Sequence, residues 1–301
     1  MMRMSAGCLF LLSLLAAAPE GEPPKAPAST GPTEAPPAAI PTFPETGTLL
    51  VSELGAGVVS EIDAKGAVVW KAEGLTRPHK AARIEGGVTV VTVKEGIRAL
   101  KADGTTLWER PREAIVKDVE VRAAGTAPGR VLLCEPNAKR VVVLDDEGKE
   151  VWKKEGLGGP TDADFLPNGN ILVSEQRAGR ISEFDAEGKE AWKAEDLGAV
   201  LCAARLASGL TLAALETKIV EIGKDGKVVR DVASGFSSLR DLDVLPGGRL
   251  LVTDQKANRV AVLDAEGRVL WEKKDMKNPV DADWIPPAKN PPPPPAPVSP
   301  S

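Results

Sequence analysis

One short phrase returns through the middle of the chain at intervals of about 40 residues, and a period of that length confines the fold to repeat architectures. The phrase is a turn followed by a strand-like run that ends in Trp. It stands as DAKGAVVW (63–70), KADGTTLW (101–108), DDEGKEVW (145–152), DAEGKEAW (185–192) and DAEGRVLW (264–271). A sixth copy, GKDGKVVR (223–230), carries Arg230 in the Trp place. Six copies predict six structural units.

Each unit holds four strand-like runs. In the clearest copy these are DADFLP, NILVSEQ, RISEFDA and KEAWKAE, separated by an Asn-Gly turn, an Arg-Ala-Gly loop and an Ala-Glu-Gly turn. Asn-Gly between alternating runs signals a hairpin. Four antiparallel strands taken six times over predict an all-β fold, a six-bladed β-propeller of four-stranded antiparallel blades spanning 46–286. The ends of the array fit a closed ring. The first unit, beginning at TGTLLVSEL (46–54), lacks its opening strand, and the array finishes with VDADWIP (280–286), a seventh copy of that strand. The C-terminal strand 280–286 is therefore expected to join the first blade and close the ring. The Trp residues, placed regularly in five units, read as packing residues of the outer strands.

The flanks are of another kind. Residues 1–18 have a secretory layout: Arg3, an apolar run from Cys8 to Ala18, and small residues at Ala16-Ala17-Ala18. The run is shorter than the roughly 20 residues a bilayer span needs, so the expectation is a signal peptide, export to the periplasm or the extracellular space, and no transmembrane segment. Residues 19–45 are a Pro/Ala-rich spacer and residues 287–301 a Pro-rich tail; neither composition builds a core. The formal net charge is -5 and no Lys/Arg stripe stands apart, which excludes a nucleic-acid partner. Cys134 and Cys202 fall in apolar strand patterns of different repeats and read as buried thiols. The chain is expected to be a monomer.

The DAEGKEAWK segments resemble the tryptophan-docking repeat of PQQ-like propellers. The DADFLPNGNILVSE segments look like repeats of NHL-type and arylsulfotransferase-like propellers. The arylsulfotransferase resemblance implies sulfuryl transfer through histidine, and streptogramin-lyase-like propellers also rely on histidine; this chain has one His in total. Gluconolactonase-like six-bladed propellers imply a divalent cation held by carboxylate and Asn ligands at the channel mouth.

Strands alternate in direction, so the start of each first strand and the end of each second strand reach one mouth of the channel. In 162–176 the turn pairs Leu166 with Ile171 and Asp164 with Val173, which sets Asp162 opposite Glu175, with Arg180 beside Glu175. The same trio returns as Asp241–Asp254–Arg259 and as Asp118–Glu135–Arg140. One reading is that each Arg bridges two carboxylates and fixes a hairpin, with no ligand. The irregular repeats point elsewhere. The closing blade has Asp281, Glu53 and Val58; the second repeat has His79 and Lys80; the fifth has Cys202. Repeats two and five both lose their acids, which hints at a three-blade duplication.

The candidate ligand-binding set is thus Glu53, His79, Lys80, Asp118, Glu135, Asp162, Glu175, Asp241, Asp254 and Asp281. Near Asp281 and Glu53 a divalent cation is one candidate ligand; a Lys80 ion pair with either acid is the other reading. His79 is the candidate general base, or a solvated side chain. These readings predict a non-catalytic binding or scaffold module that takes a protein or small-molecule ligand at the channel mouth, with no bound cofactor. The alternatives are a metal-dependent, gluconolactonase-like hydrolase and an arylsulfotransferase-like transfer through His79.

Overall fold

The structure, a computed structural model, describes residues 47–124 and 127–287. The leader, the 19–45 spacer and the tail beyond 287 lie outside the described residues. Six antiparallel sheets of four strands stand in a ring. The first strands of successive blades neighbour one another around the channel. They are Pro279–Ile285 in blade 1, Ala81–Arg83 in blade 2, Asp118–Ala124 in blade 3, Pro160–Phe165 in blade 4, Val200–Arg205 in blade 5 and Leu239–Val244 in blade 6. The ring closes as the orphan strand predicts. Pro279–Ile285 pairs antiparallel with Thr48–Glu53, setting Leu49 opposite Trp284 and Ser52 opposite Asp281.

The repeat phrase has a local cause. In Asp63-Ala-Lys-Gly66 the Asp63 carboxylate accepts the backbone N–H groups of Lys65 and Ala67 at 2.9 and 2.8 Å. Gly66 N–H closes the turn on the Asp63 carbonyl, and its φ of +78° is one that a side chain resists. Asp185 and Asp264 make the same pair of bonds ahead of Gly188 and Gly267. Asp and Gly therefore recur because one backbone conformation builds the outer turns and a carboxylate ties it down, from the first turn position at Asp63, Asp145, Asp185 and Asp264 and from the third at Asp103 and Asp225.

The second strands, such as Thr89–Val93, Ile171–Glu175 and Leu250–Asp254, are buried along their whole length. They have blades on both faces, so continuous apolar runs suit them better than alternation. The fourth strands are mostly exposed, with the Trp side half-buried. Trp70 and Trp192 donate their indole N–H to the carbonyls of Ala102 and Lys224, in the outer turn of the next blade, at 2.8 and 2.9 Å. Arg83 and Arg205 lie over the two rings, 4.8 and 4.3 Å from the centroids.

The inner hairpin differs from the expected register by one residue. Phe165, not Leu166, faces Ile171, and Asp162 faces Ser174, with Glu175 opposite Pro160. The cause is the turn. Leu166 N–H bonds the Asn170 carbonyl and Gly169 takes φ +90°, so the loop is three residues long. A loop one residue shorter slips every pairing behind it.

Candidate ligand cup at the channel mouth

The position that opens each inner strand is Asp281, Lys80, Asp118, Asp162, Cys202 and Asp241 in blades 1 to 6. The four aspartates share one role: each accepts a backbone N–H from the inner strand of the next blade. Asp118 takes the amide of Ala163 at 3.0 Å, Asp162 that of Ala203 at 3.0 Å, Asp241 that of Ala282 at 3.1 Å and Asp281 that of Ala81 at 2.9 Å. Ser174 and Ser52, facing Asp162 and Asp281 across their own hairpins, donate hydroxyls to the same oxygens at 3.2 Å. A buried amide needs an acceptor, and here a carboxylate supplies it between sheets. This explains the return of DADFLP and DLDVLP.

The predicted trios consequently come apart. Glu175 is held by Arg180 at 2.7 Å, by Ser182 and by the Gly158 amide. Asp254 is held by Arg259 and by the amides of Ser237 and Ser238. Glu135 sits between Arg112 and Arg140 at 2.6 Å from each. These three acids are buried and none lines the mouth; they tie down the segments around their own blades. The expected pairing of Asp162, Asp241 and Asp118 with them fails because of the one-residue register difference and a bulge described below. Glu53 is likewise no partner of Asp281. Its carboxylate accepts the amide of Lys277, while Ser52 is the residue that meets Asp281. The two-carboxylate cation site expected from Glu53 and Asp281 does not form, and no group of three His, Cys, Asp or Glu among the described residues is placed to hold a metal ion.

Two residues further along the same faces stand Glu120, Asp164, Asp243 and Asp283, an acidic layer that sequence reasoning passed over although the D-x-D spacing puts both acids on one side of a strand. Lys80 is the cation of this interior. Its ammonium lies 2.8 Å from Asp281, 3.2 Å from Asp283 and 3.3 Å from Asp241. That is the ion-pair reading of Lys80. Elsewhere in the channel the acids crowd one another. Burial pushes the Asp118 carboxyl well above the ordinary range, and the neighbouring Asp162 pushes it further. Burial likewise lifts Asp164, with Asp162 adding to it. Asp162 itself is raised to about 6 by burial, against the pull of Lys80 and the Ala203 amide.

Above this layer the charge changes sign. A bulge interrupts the inner pairing between Pro160 and Asp162, Val200 and Cys202, and Leu239 and Asp241, and the closing blade shows the same irregularity between Pro279 and Asp281. Bulges re-aim a side chain. The residues at this place, Thr161, Leu201, Arg240 and Val280, line the mouth together with His79 and Lys117 of blades 2 and 3. They surround a cup of about 840 Å³ including its open side, with Asp118, Asp162 and Asp241 also in its wall and Arg77 at its edge. Of the predicted set, then, the fold brings His79, Lys80, Asp118, Asp162 and Asp241 to the cup, and leaves Glu53, Glu135, Glu175, Asp254 and Asp281 outside its lining, Asp281 meeting it only through Lys80. Arg240 was missed because only the bulge turns the residue preceding the acid into the channel; Lys117, which precedes Asp118 in blade 3, lines the cup as well and was missed with it.

The rim is crowded with cations. Lys117 is depressed by burial and then by Arg240, Arg177 and Arg77. Burial, followed by Lys117, Arg77 and Arg240, lowers His79 to about 4, so its imidazole is neutral at physiological pH. Arg240 is fixed by Gln255 at 2.6 Å. Among the described residues, Arg77, Lys117 and Arg177 form no ion pair with a carboxylate. Cys202 and Cys134 are both free and buried.

With this geometry in hand, the likeness to known proteins is informative. Residues 25–161 match the family model described as outer membrane protein assembly factor BamB, a PQQ-like repeat. Over that stretch the chain is similar to PQQ-like repeats. No curated protein matches the chain in sequence. Among solved structures, a protein of unknown function from Bacteroides caccae superposes with a TM-score of 0.66 at 18% identity, over 80% of this chain and 99% of its own. The nidogen/laminin complex gives a TM-score of 0.61 at 15% identity over 78% and 97%. Virginiamycin B lyase from Staphylococcus aureus gives 0.51 at 17% identity over 65% and 69%. At these identities the likeness is one of fold.

Proposed function

We propose that the chain is an exported, non-catalytic binding propeller whose channel mouth holds a ligand through an anionic group. The observation that supports this reading is the rim: Arg77, Lys117 and Arg240 line one cup, Arg177 is near enough to depress Lys117, and Arg77, Lys117 and Arg177 have no carboxylate partner among the described residues. Like charges gathered in a partly buried concavity oppose folding, and such arrangements mark places where a ligand supplies the missing charge. The family whose repeats the chain resembles is named for an assembly factor, which accords with binding in preference to turnover. His79, the candidate base, is buried and ringed by cations; a neutral imidazole there can donate or accept a hydrogen bond to a bound anion.

Thermal-shift measurements at constant ionic strength test the reading. Acetate, succinate, citrate and inorganic phosphate are compared with chloride as the reference anion. A bound ligand at about 100 times its Kd stabilises by about 2.7 kcal/mol, so a saturable rise in Tm is expected from at least one organic anion or phosphate. Lys117→Gln and Arg240→Gln should reduce it. No shift with any anion at millimolar concentration, or equal shifts in both variants, would overturn the proposal.

A further inference from the structure

The cup has two unmatched halves, and the contrast between them goes further than an anion site. The rim cations Arg77 and Lys117 pair with no acid among the described residues. Asp118 and Asp162 lie in the wall of the same cavity, and neither is within ion-pair distance of a cation there, since the Lys80 ammonium is taken by Asp241, Asp281 and Asp283. Their only described partners are the amides of Ala163 and Ala203 and the Ser174 hydroxyl. A carboxylate has about four acceptor sites, so each keeps capacity for a donor. Rim cations and two carboxyls that no protein cation pairs therefore share one water-accessible concavity, and an ammonium placed beside those carboxyls would favour their ionised forms. The field in such a cleft orients a dipolar ligand with its anionic end at the rim and its cationic end on the acids.

Resting on the anion-binding reading above, we infer that the ligand is a zwitterion, a small amino acid or short peptide, whose carboxylate meets Arg77, Lys117 and Arg240 and whose ammonium donates to Asp118 and Asp162. The enclosed part of the cup is about 240 Å³, just below the roughly 300–1,000 Å³ of pockets for drug-sized ligands, a size that suits a small amino acid or dipeptide. His79, uncharged at neutral pH, contributes a hydrogen bond without adding to the rim charge. Cys202 and Leu201 supply the apolar part of the wall. Lys80 has the complementary duty. By neutralising the blade 6, 1 and 2 side of the channel it leaves the Asp118–Asp162 side as the place where an external ammonium is stabilised.

Isothermal titration calorimetry on the full chain tests this. The probes are glycine, β-alanine, 4-aminobutyrate, 5-aminovalerate and Gly-Gly, each set against a carboxylate and an alkylamine of matched length. At least one zwitterion is expected to bind about tenfold or more tighter than both of its matched singly charged partners. The single-chain amino acids and Gly-Gly separate a free amino acid from a peptide as the source. Asp162→Asn, which keeps an acceptor for the Ala203 amide, should remove that advantage while leaving carboxylate binding in place; Lys117→Gln should weaken both. The matched compounds make the comparison on wild-type protein, so it stands even if a variant does not fold. If zwitterions bind no tighter than their carboxylates, or if the alkylamines bind best, this inference fails while the anion reading stands or falls separately. If neither the probes nor succinate, citrate and phosphate bind, the anion reading fails as well.

Discussion

Asp281 offers the sharpest test of how the ring is held. It is 1% exposed and carries three interactions at once: the Ala81 amide at 2.9 Å, the Ser52 hydroxyl at 3.2 Å and the Lys80 ammonium at 2.8 Å. In Asp281→Ala the Ala81 amide and the Ser52 hydroxyl lose their acceptor, at about 1–3 kcal/mol for each buried group left unsatisfied. Lys80 is not stranded, because Asp283 and Asp241 remain at 3.2 and 3.3 Å. The loss therefore stays at or below the roughly 3–5 kcal/mol found when one partner of a buried pair is removed outright. About 3–4 kcal/mol is the expected total. Asp281→Asn separates the parts. Its amide oxygen still accepts from Ala81, and it removes a carboxyl that burial holds well above its ordinary range, so about 1–2 kcal/mol is expected. Urea unfolding followed by tryptophan fluorescence and circular dichroism measures both, with the m-value checked for constancy. Equal losses in the two variants, or both within about 0.5 kcal/mol of wild type, would refute the claim that the carboxylate joins blade 1 to blade 2.

Lys80→Met leaves Asp241, Asp281 and Asp283 facing one another; a loss of about 3–5 kcal/mol at neutral pH is expected, smaller near pH 5 as the acids take up protons, and urea midpoints at the two pH values read it. The Asp162 carboxyl is raised by burial to about 6, so the folded state binds its proton more tightly than the unfolded one and stability is lost as pH rises through that value; Tm should therefore increase from pH 7 to about pH 5. His79, depressed to about 4, acts in the opposite sense below its unfolded pKa near 6.5, so His79→Gln should enlarge the increase, and calorimetric scans of both proteins show whether it does. Trp192→Phe deletes the hydrogen bond to the Lys224 carbonyl and weakens the Arg205 stacking; a loss of about 1–2 kcal/mol is expected by urea titration. Because no carboxylate stands at positions 80 and 202, the inner-strand amides of Val119 and Leu242 should exchange faster than those of Ala81, Ala163, Ala203 and Ala282 in a hydrogen-exchange experiment.

Much of the architecture was legible because it is written in short-range chemistry. The outer turn, with its Gly at 66, 104, 148, 188, 226 and 267, states its own backbone conformation, and counting its copies counts the blades. The orphan VDADWIP run could only be a missing first strand, and its pairing with Thr48–Glu53 follows. The charge map was harder to read. It depended on register, and register depended on whether the loop at 166–170 holds three residues or four, a difference of one that moved Asp162 from Glu175 to Ser174. The bulge ahead of Asp162, Cys202 and Asp241 has no residue signature in common: Thr161, Leu201 and Arg240 share no chemistry. Nothing short of the paired strands shows that they face the channel.

The two departures from the repeat, Lys80 and Cys202, acquire a shared meaning once the aspartate bonds are traced round the ring. Asp118 and Asp162 join blade 3 to 4 and 4 to 5; Asp241 and Asp281 join blade 6 to 1 and 1 to 2. The missing acids fall between blades 2 and 3 and between blades 5 and 6. The ring is thus two carboxylate-linked triplets meeting at two seams whose inner strands lack that bond; apolar packing joins them there, such as Val90, Ile97 and Val119 at the first and Leu212, Leu239 and Val252 at the second, with Arg112 reaching Glu135 across the first and the Leu239 amide bonding the Glu216 carbonyl across the second. This matches the three-blade duplication that the sequence hints at, in which repeats two and five lose their acids together. It also places the cation of the acidic layer. A carboxylate at position 80 would have added a further negative charge beside Asp241, Asp281 and Asp283, whereas Lys80 forgoes a bond to blade 3 and neutralises that side instead. At the other seam Cys202 forgoes the bond without supplying charge, so Asp118 and Asp162 of blades 3 and 4 have no cation at ion-pair distance and feel Lys80 only from farther off, and the asymmetry of the cup follows from which residue replaced aspartate at each seam.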